Sequence, residues 1–347
     1  TQVPEATLVS EMRRMRAEGG FNGFSFEVGW NVIEPAEGAF VFPPAVDRLI
    51  ELAAQEGMWV TLLPTPHYTP GWVFTRWGDV KMKDEQGRSQ DGLWLTFSPA
   101  SPAAAAQARF QRRFIEHYAR HPNLLGFHLT NELAYGAGHW VDYSTWADSA
   151  WTRWRADRGL APASMPRPAE AAARPDDWRL FARFRQDLLS TYFDSLYAEA
   201  VRGLPRFIPV YHRHNWYTHS DAFASQRGLY LDPNTASGDA TGGNVYGANA
   251  IMDGMVQAWQ RPIILTETNV PGGAPTAGDI NEMYLSQAFA GAQVQFVYHW
   301  GPGGIVPIRY DDGRFREAYA RLRDLAQVLS TIDDPALAAP DPVGFLW

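Results

Sequence analysis

The feature that most constrains the fold is a repeated alternation of short apolar runs with longer amphipathic segments. The apolar runs are continuous and do not alternate with polar residues, which is typical of strands buried on both faces of a parallel sheet. The segments between them have helical periodicity and the length of crossover helices. The pattern predicts seven strands and about eight helices, which indicates an α/β fold closed as a (β/α)8 TIM barrel.

The strands are predicted at residues 21–30, 58–65, 124–130, 207–212, 228–239 (a weaker run), 262–267 and 294–300. The helices are predicted at residues 5–18, 44–56, 102–121, 143–158, 176–203, 248–260, 279–291 and 315–330. The first element is a helix, so the first barrel strand is expected either upstream of Thr1 or in the C-terminal residues 342–347. We predict one catalytic barrel over residues 1–332 and a Pro-rich tail, or the start of a further domain, over 333–347.

Composition excludes several classes of function. The formal net charge is −8 and the pI about 5.6, which argues against nucleic acid or an anionic membrane surface as a partner. The chain has no cysteine, which excludes disulfides, thiolate nucleophiles and cysteine-based zinc sites. No apolar run is long enough for a transmembrane helix. The sequence therefore predicts a soluble protein, without deciding between the cytoplasm and export.

Two glutamates stand at the ends of predicted strands. When the first strand is counted as missing, the run 124–130 is the fourth barrel strand and leads into Asn131-Glu132, while the run 262–267 is the seventh and ends at Glu267. Both carboxylates are expected at one mouth of the barrel, because TIM-barrel active sites lie at the C-terminal ends of the strands. Glycoside hydrolysis needs such a pair. One carboxyl protonates the leaving oxygen, and the other attacks the anomeric carbon or activates water.

Polar and aromatic residues near these glutamates are candidates for substrate binding. Asn131 is suited to donate a hydrogen bond to a sugar hydroxyl, and Trp300 is suited to stack on a sugar ring. Tyr246 is expected after the sixth strand, from where its hydroxyl would donate to Glu267 and keep that carboxylate ionised. The neighbouring glycines would permit a close turn there.

Other candidates have equally good structural explanations. His67 and Trp30 either line the sugar site or are ordinary packed residues. His212 and His214 are two residues apart on a predicted strand and therefore point to the same side, which would allow a metal site if further ligands joined them. No second tight cluster of ligands accompanies them, so we favour a sugar-binding role for His212 over a metal-dependent hydrolase.

Three segments resemble those of a known enzyme family. Residues 26–42 (FEVGWNVIEPAEGAFVF), 121–136 (HPNLLGFHLTNELAYG) and 288–303 (AFAGAQVQFVYHWGPG) are similar to segments of glycoside hydrolase family 42, the β-galactosidases of clan A. The resemblance extends from Glu5 to about residue 330. It implies a retaining mechanism in which Glu132 is the acid/base and Glu267 the nucleophile, with carboxyl groups ~5–5.5 Å apart.

The resemblance also implies the ligands and partners. The expected substrate is a carbohydrate with a terminal β-linked galactose, and a β-mannoside, β-glucoside or α-L-arabinopyranoside remains open. The cysteine cluster that binds zinc in many family members is absent, so no metal and no cofactor are expected. The related family often forms trimers, so the resemblance allows a homo-oligomer, but the sequence does not fix the oligomeric state. The alternative functions are a metal-dependent barrel hydrolase and a sugar-binding barrel without turnover.

Overall fold

The computed structural model describes residues 4–89, 95–136, 140–215, 228, 237–246, 261–269, 275–301, 308 and 316–330. Seven parallel strands form one sheet in which each strand pairs with the next along the chain. They are β1 (Gly23–Gly29), β2 (Trp59–Thr65), β3 (Leu124–Asn131), β4 (Val210–Asn215), β5 (Thr241–Tyr246), β6 (Ile263–Asn269) and β7 (Ala292–Val297). Within these ranges β1 and β7 are not paired with each other, so the sheet is a partial (β/α)8 barrel.

Helices connect the strands as a parallel sheet requires. They are α1 (Glu5–Gly19), α2 (Trp30–Ile33), α3 (Pro44–Gln55), α4 (Gly71–Arg76), α5 (Pro102–Tyr118), α6 (Thr145–Asp157), α7 (Pro175–Ala200), α8 (Ala277–Phe289) and α9 (Arg321–Ser330). Short 3-10 turns lie at Pro168–Glu170, Val201–Gly203 and Glu317–Ala320. None of these described helices combines the length and the apolar character that crossing a bilayer requires.

The ends of several helices follow local chemistry. Ser101 caps α5, because its hydroxyl accepts a hydrogen bond from the backbone N–H of Ala104 at 3.3 Å, and Pro102 occupies the first helical position. Gly20 ends α1 in the left-handed conformation, with φ of 71°. These signals are local, so sequence alone predicts both boundaries to within about two residues.

The prediction of one strand was wrong. The run 228–239 was predicted as the sixth barrel strand, but the strand between β4 and β6 is β5, which begins at Thr241, and residues 237–240 before it form bends. Residues 229–236 of that run lie outside the described part of the chain. Glycine explains both why the sequence pattern did not reveal this strand and how the strand packs closely against β4. Gly242 carries no side chain to signal burial, and a Cβ there would collide with the carbonyl oxygen of His212 on β4. The predicted helix 248–260 and the predicted tail 333–347 lie outside the described residues.

The largest apolar cluster lies between the first four strands and the helices that cover them. Phe110 and Phe114 of α5 pack with Phe127 of β3 in this cluster, and all three side chains are fully buried. The opposite face of the sheet is more polar, since His128 Nε2 of β3 lies 2.9 Å from Ser25 Oγ of β1, across the intervening strand. The helices therefore hold the sheet from outside and leave its inner face available for polar groups.

Candidate active site

A cavity of about 510 Å³ lies against the inner face of the sheet and its C-terminal end. It follows the unpaired edge of β1, reaches across to β6, and continues along β7 and the residues after it. The charged, amide and indole side chains that line it include Glu27, Asn131, Glu132, Arg213, Glu267 and Trp300. The two predicted catalytic glutamates therefore lie in one cavity.

Neighbouring strands position each glutamate. Glu132 follows the last residue of β3, and its backbone N–H donates to the carbonyl of Arg213 at 2.9 Å, which continues the pairing of β3 with β4. Glu132 has φ of 48°, and among the described residues it is the one that is not glycine with a positive φ. Such a backbone costs about 1–3 kcal/mol and is typical of functional sites. Glu267 lies within β6, where its register partner on β5 is Asn244.

Asn244 bridges the two carboxylates. Its Nδ2 lies 2.6 Å from Glu132 Oε1 and 3.4 Å from Glu267 Oε2. These two oxygens are therefore at most about 6 Å apart, which is compatible with the ~5–5.5 Å between the carboxyl groups of retaining glycosidases.

Arg213 is a buried cation beside the same carboxylates. Its side chain forms an ion pair with Glu267 Oε2, and its Nε donates to Asn244 Oδ1 at 2.7 Å. Thr266 Oγ1 donates to the same Asn244 oxygen at 3.0 Å. A buried charge needs such partners, because removing it from water is otherwise costly.

Asn131 and Trp300 both reach the cavity, as their predicted roles require. The Oδ1 atom of Asn131 is buried and has no hydrogen-bond partner among the described residues, although the residue itself lines the cavity. The indole N–H of Trp300 donates to Glu11 Oε2 at 2.7 Å, and its ring meets that of Phe21 edge-on at 6.1 Å. These contacts fix the orientation of the Trp300 ring at the cavity wall.

The structure does not bring Trp30 to the cavity. Its side chain is fully buried, stacks on Phe110 at 5.5 Å and donates from Nε1 to Glu34 Oε2 at 2.8 Å. Packing therefore accounts for this tryptophan. Tyr246 is the last residue of β5, but its side chain lies outside the described part of the chain, so its contact with Glu267 stays a prediction.

His212 also lies away from the cavity. Its Nδ1 is 3.3 Å from Thr130 Oγ1, and its Nε2 is 3.1 Å from the carbonyl of Phe193 on α7. Both ring nitrogens thus face protein groups. The side chain of His214 is not described, and in the described ranges no three His, Asp or Glu residues form a group that could hold a metal ion. A metal centre built on His212 therefore has no support in this geometry.

His67 lies just beyond β2 and is partly buried. Its Nδ1 is 3.0 Å from Thr65 Oγ1. Burial, and secondarily the positive charge of Arg213, lower the pKa of His67 to about 4. The imidazole is therefore neutral at neutral pH, and His67 is not among the residues that line the cavity.

Three residues were not assigned a role from sequence. Arg213 and Asn244 lie within β4 and β5, each after an apolar or glycine-rich run, and that position was the available signal. Glu27 lines the cavity from β1 and accepts a hydrogen bond from the Tyr68 hydroxyl at 3.1 Å. The Glu27 charge raises the pKa of Tyr68, so that hydroxyl stays protonated and remains a donor.

Comparison with known proteins supports the resemblance seen in the sequence. Residues 1–159 match the glycoside hydrolase family 42 model, described as β-galactosidase. The β-galactosidase BbgII of Bifidobacterium bifidum is 32% identical over 159 residues, which covers 44% of this chain and 22% of that protein. The aligned region thus spans less than a quarter of that relative.

Solved structures share the fold over nearly the whole chain. The β-galactosidase of the psychrophilic Marinomonas ef1 superposes with a TM-score of 0.78 at 16% identity, covering 97% of this chain and 60% of that one. A family 42 β-galactosidase of G. stearothermophilus gives 0.74 at 15% identity, covering 98% and 56%. The comparisons therefore confirm the predicted resemblance: residues 1–159 are similar to the family 42 model, and the chain has the fold of a partial (β/α)8 barrel.

Proposed function

We propose that this chain is the catalytic barrel of a retaining, exo-acting β-glycosidase that hydrolyses terminal β-galactosides. One observation carries the proposal. Two glutamates at the ends of β3 and β6 lie in one cavity, with an oxygen of each in contact with the same Asn244 amide nitrogen. Glycoside hydrolysis with retention requires two carboxyl groups that lie close together on either side of the scissile bond.

The first step breaks the glycosidic bond. The Glu267 carboxylate attacks the anomeric carbon and forms an ester, while Glu132 gives its proton to the departing oxygen. In the second step Glu132 takes a proton from water, the water oxygen attacks the same carbon, and Glu267 leaves as a carboxylate. The two inversions restore the original anomeric configuration, and both glutamates return to their starting states.

Binding would use groups that the cavity already presents. Asn131 Oδ1 is a buried acceptor without a described partner, which suits a hydroxyl next to the anomeric carbon. Trp300 offers a fixed aromatic wall, and Glu27 offers carboxylate oxygens to further hydroxyls. The choice of galactose rests on the relatives, which are named β-galactosidases.

The test compares the two glutamates by the product each variant forms. Wild type, Glu267→Ala and Glu132→Ala are assayed on nitrophenyl β-galactoside, β-glucoside, β-mannoside and α-L-arabinopyranoside, and the variants also on the dinitrophenyl galactoside with azide. Glu267→Ala should give the α-galactosyl azide, because azide replaces the nucleophile in a single inversion. Glu132→Ala should give the β-galactosyl azide, because azide attacks the enzyme ester. Glu282→Ala, an exposed change on α8, is the matched control and should keep full activity.

Four outcomes would contradict the proposal. Azide products of the opposite anomers would exchange the two roles, and inversion by the wild type would remove the covalent step. Binding of galactose without turnover of any glycoside would indicate a sugar-binding barrel. Turnover that a chelator abolishes would indicate metal-dependent hydrolysis.

A further inference from the structure

A continuous polar network joins the two candidate catalytic glutamates. Arg213 pairs with Glu267 and donates from Nε to Asn244 Oδ1 at 2.7 Å, and Asn244 Nδ2 lies 2.6 Å from Glu132 Oε1. The network rests on neighbouring strands, because Asn131 pairs with Arg213 and Asn244 pairs with Glu267 in the sheet register. The spacing of these side chains is therefore set by backbone pairing.

The bonds fix which way the Asn244 amide faces. Its oxygen accepts from Arg213 Nε and from Thr266 Oγ1 at 3.0 Å, so its NH2 group is directed at the carboxylates. Asn244 is fully buried, so water does not compete for these bonds. Its amide restrains Glu132 and touches Glu267 at 3.4 Å.

Arg213 supplies charge as well as geometry. Its side chain is 10% exposed and that of Glu267 is 14% exposed, so the attraction between them is only weakly screened. A guanidinium in direct contact with a carboxylate favours the ionised form of that carboxylate. A guanidinium presents its donors in a rigid plane, so one side chain can bind Asn244 and Glu267 together, which a lysine ammonium does less well.

We propose that Arg213 and Asn244 are positioning residues: Arg213 holds Glu267 ionised and aimed at the anomeric carbon, and Asn244 sets the spacing between Glu267 and Glu132. This inference rests on the proposed function, because the two carboxylates have these roles only in a glycosidase. The two residues are expected to affect the site in different ways. Loss of Arg213 changes the ionisation of Glu267, whereas loss of Asn244 changes geometry and leaves the cation in place.

The charged and titratable groups that face Glu267 are few in the described part of the site. Arg213 comes from β4, Glu132 from the end of β3 and Glu27 from β1. His299, after β7, also lines the cavity. Arg213 is the cation in contact with Glu267, so its removal should dominate any change in the titration of that carboxyl.

The experiment measures kcat and KM against pH for wild type, Arg213→Met, Arg213→Lys and Asn244→Ala on the dinitrophenyl β-galactoside. In Arg213→Met the acid limb of kcat/KM should move up by about one to two pH units, and kcat should fall about a hundredfold with little change in KM. Arg213→Lys should keep the limb near its wild-type position. It should lose about tenfold in kcat, and it keeps the test valid if the methionine variant does not fold. Asn244→Ala should lower kcat without moving the limb.

A second measurement does not depend on activity. Carbon-13 NMR of the glutamate carboxyls, with the Glu267 signal assigned through Glu267→Gln, should show Glu267 titrating at higher pH in Arg213→Met than in wild type. Arg179→Met, an exposed arginine on α7, is the matched control and should change neither readout. An unchanged Glu267 titration in Arg213→Met would overturn the role of Arg213 even in a protein without turnover. Absence of glycosidase activity in wild type, with the NMR shift present, would instead refute the proposed function alone.

Discussion

Glu34 gives the sharpest test of how the barrel supports the cavity wall. Its carboxylate is fully buried and accepts three hydrogen bonds, from Trp30 Nε1 at 2.8 Å, the backbone N–H of Gly38 at 2.8 Å and Arg109 at 3.2 Å. Trp30 follows β1, so this carboxylate anchors the chain just beyond the Glu27 end of that strand. We expect Glu34→Ala to destabilise the whole domain.

The size of the effect follows from Trp30, the lost methylene and Arg109, because Gly38 is exposed and water can replace the carboxylate at its N–H. The Trp30 indole N–H has no access to water, and leaving it without an acceptor costs about 1–3 kcal/mol. The lost buried methylene adds about 0.8 kcal/mol. Arg109 is 43% exposed, so its ion pair contributes at most about 1 kcal/mol. The free energy of unfolding should therefore fall by about 3 kcal/mol.

Urea unfolding followed by tryptophan fluorescence measures this change. Glu34→Gln keeps the methylene and one acceptor oxygen, so it should cost about 1–2 kcal/mol. Arg109→Ala should cost less than about 1 kcal/mol, because water replaces the exposed contact. A cost under about 1 kcal/mol for Glu34→Ala, or an equal cost for Arg109→Ala and Glu34→Ala, would contradict the assigned role of the buried Trp30 contact.

Two further predictions concern pH and packing. Burial holds the pKa of His67 at about 4 and that of His128 well below its usual range. Below pH 6.5 the unfolded chain therefore binds more protons than the folded protein, so the free energy of unfolding should decrease as pH falls from about 6.5 towards 4. Urea midpoints that do not change with pH over that window would contradict this prediction. Gly242→Ala should lower the free energy of unfolding by about 2–3 kcal/mol, because its Cβ would collide with the His212 carbonyl oxygen. The control Gly78→Ala places its Cβ in open space and should change stability little. Equal melting temperatures of the two variants would argue against the close approach at Gly242.

Periodicity predicted most of the barrel because its strands are buried on both faces. The run 124–130 and the observed β3 (Leu124–Asn131) differ by one residue, since apolar side chains on both faces leave a continuous signal. The strand β5 has the sequence TGGNVY and lacks that signal. Its burial comes from close backbone packing against β4, which no local pattern reports.

The candidate site was predictable where one residue carries the signal and hidden where the role comes from a partner. Asn131-Glu132 and Glu267 stand out as polar residues after apolar runs. Arg213 and Asn244 acquire their roles from cross-strand register, which sequence does not provide. Trp30 was ambiguous because its orientation also depends on a partner, the Glu34 carboxylate that accepts its indole N–H.

The left-handed backbone at Glu132 lowers local stability while it places the carboxylate of this residue in the cavity. With φ of 48°, this position holds a conformation that glycine adopts without the steric penalty that a Cβ brings. Glu132→Gly should thus remove a carboxylate from the cavity while relaxing the turn that presents it. Under the proposed function, the chain bears a local conformational cost at the residue that acts as acid/base.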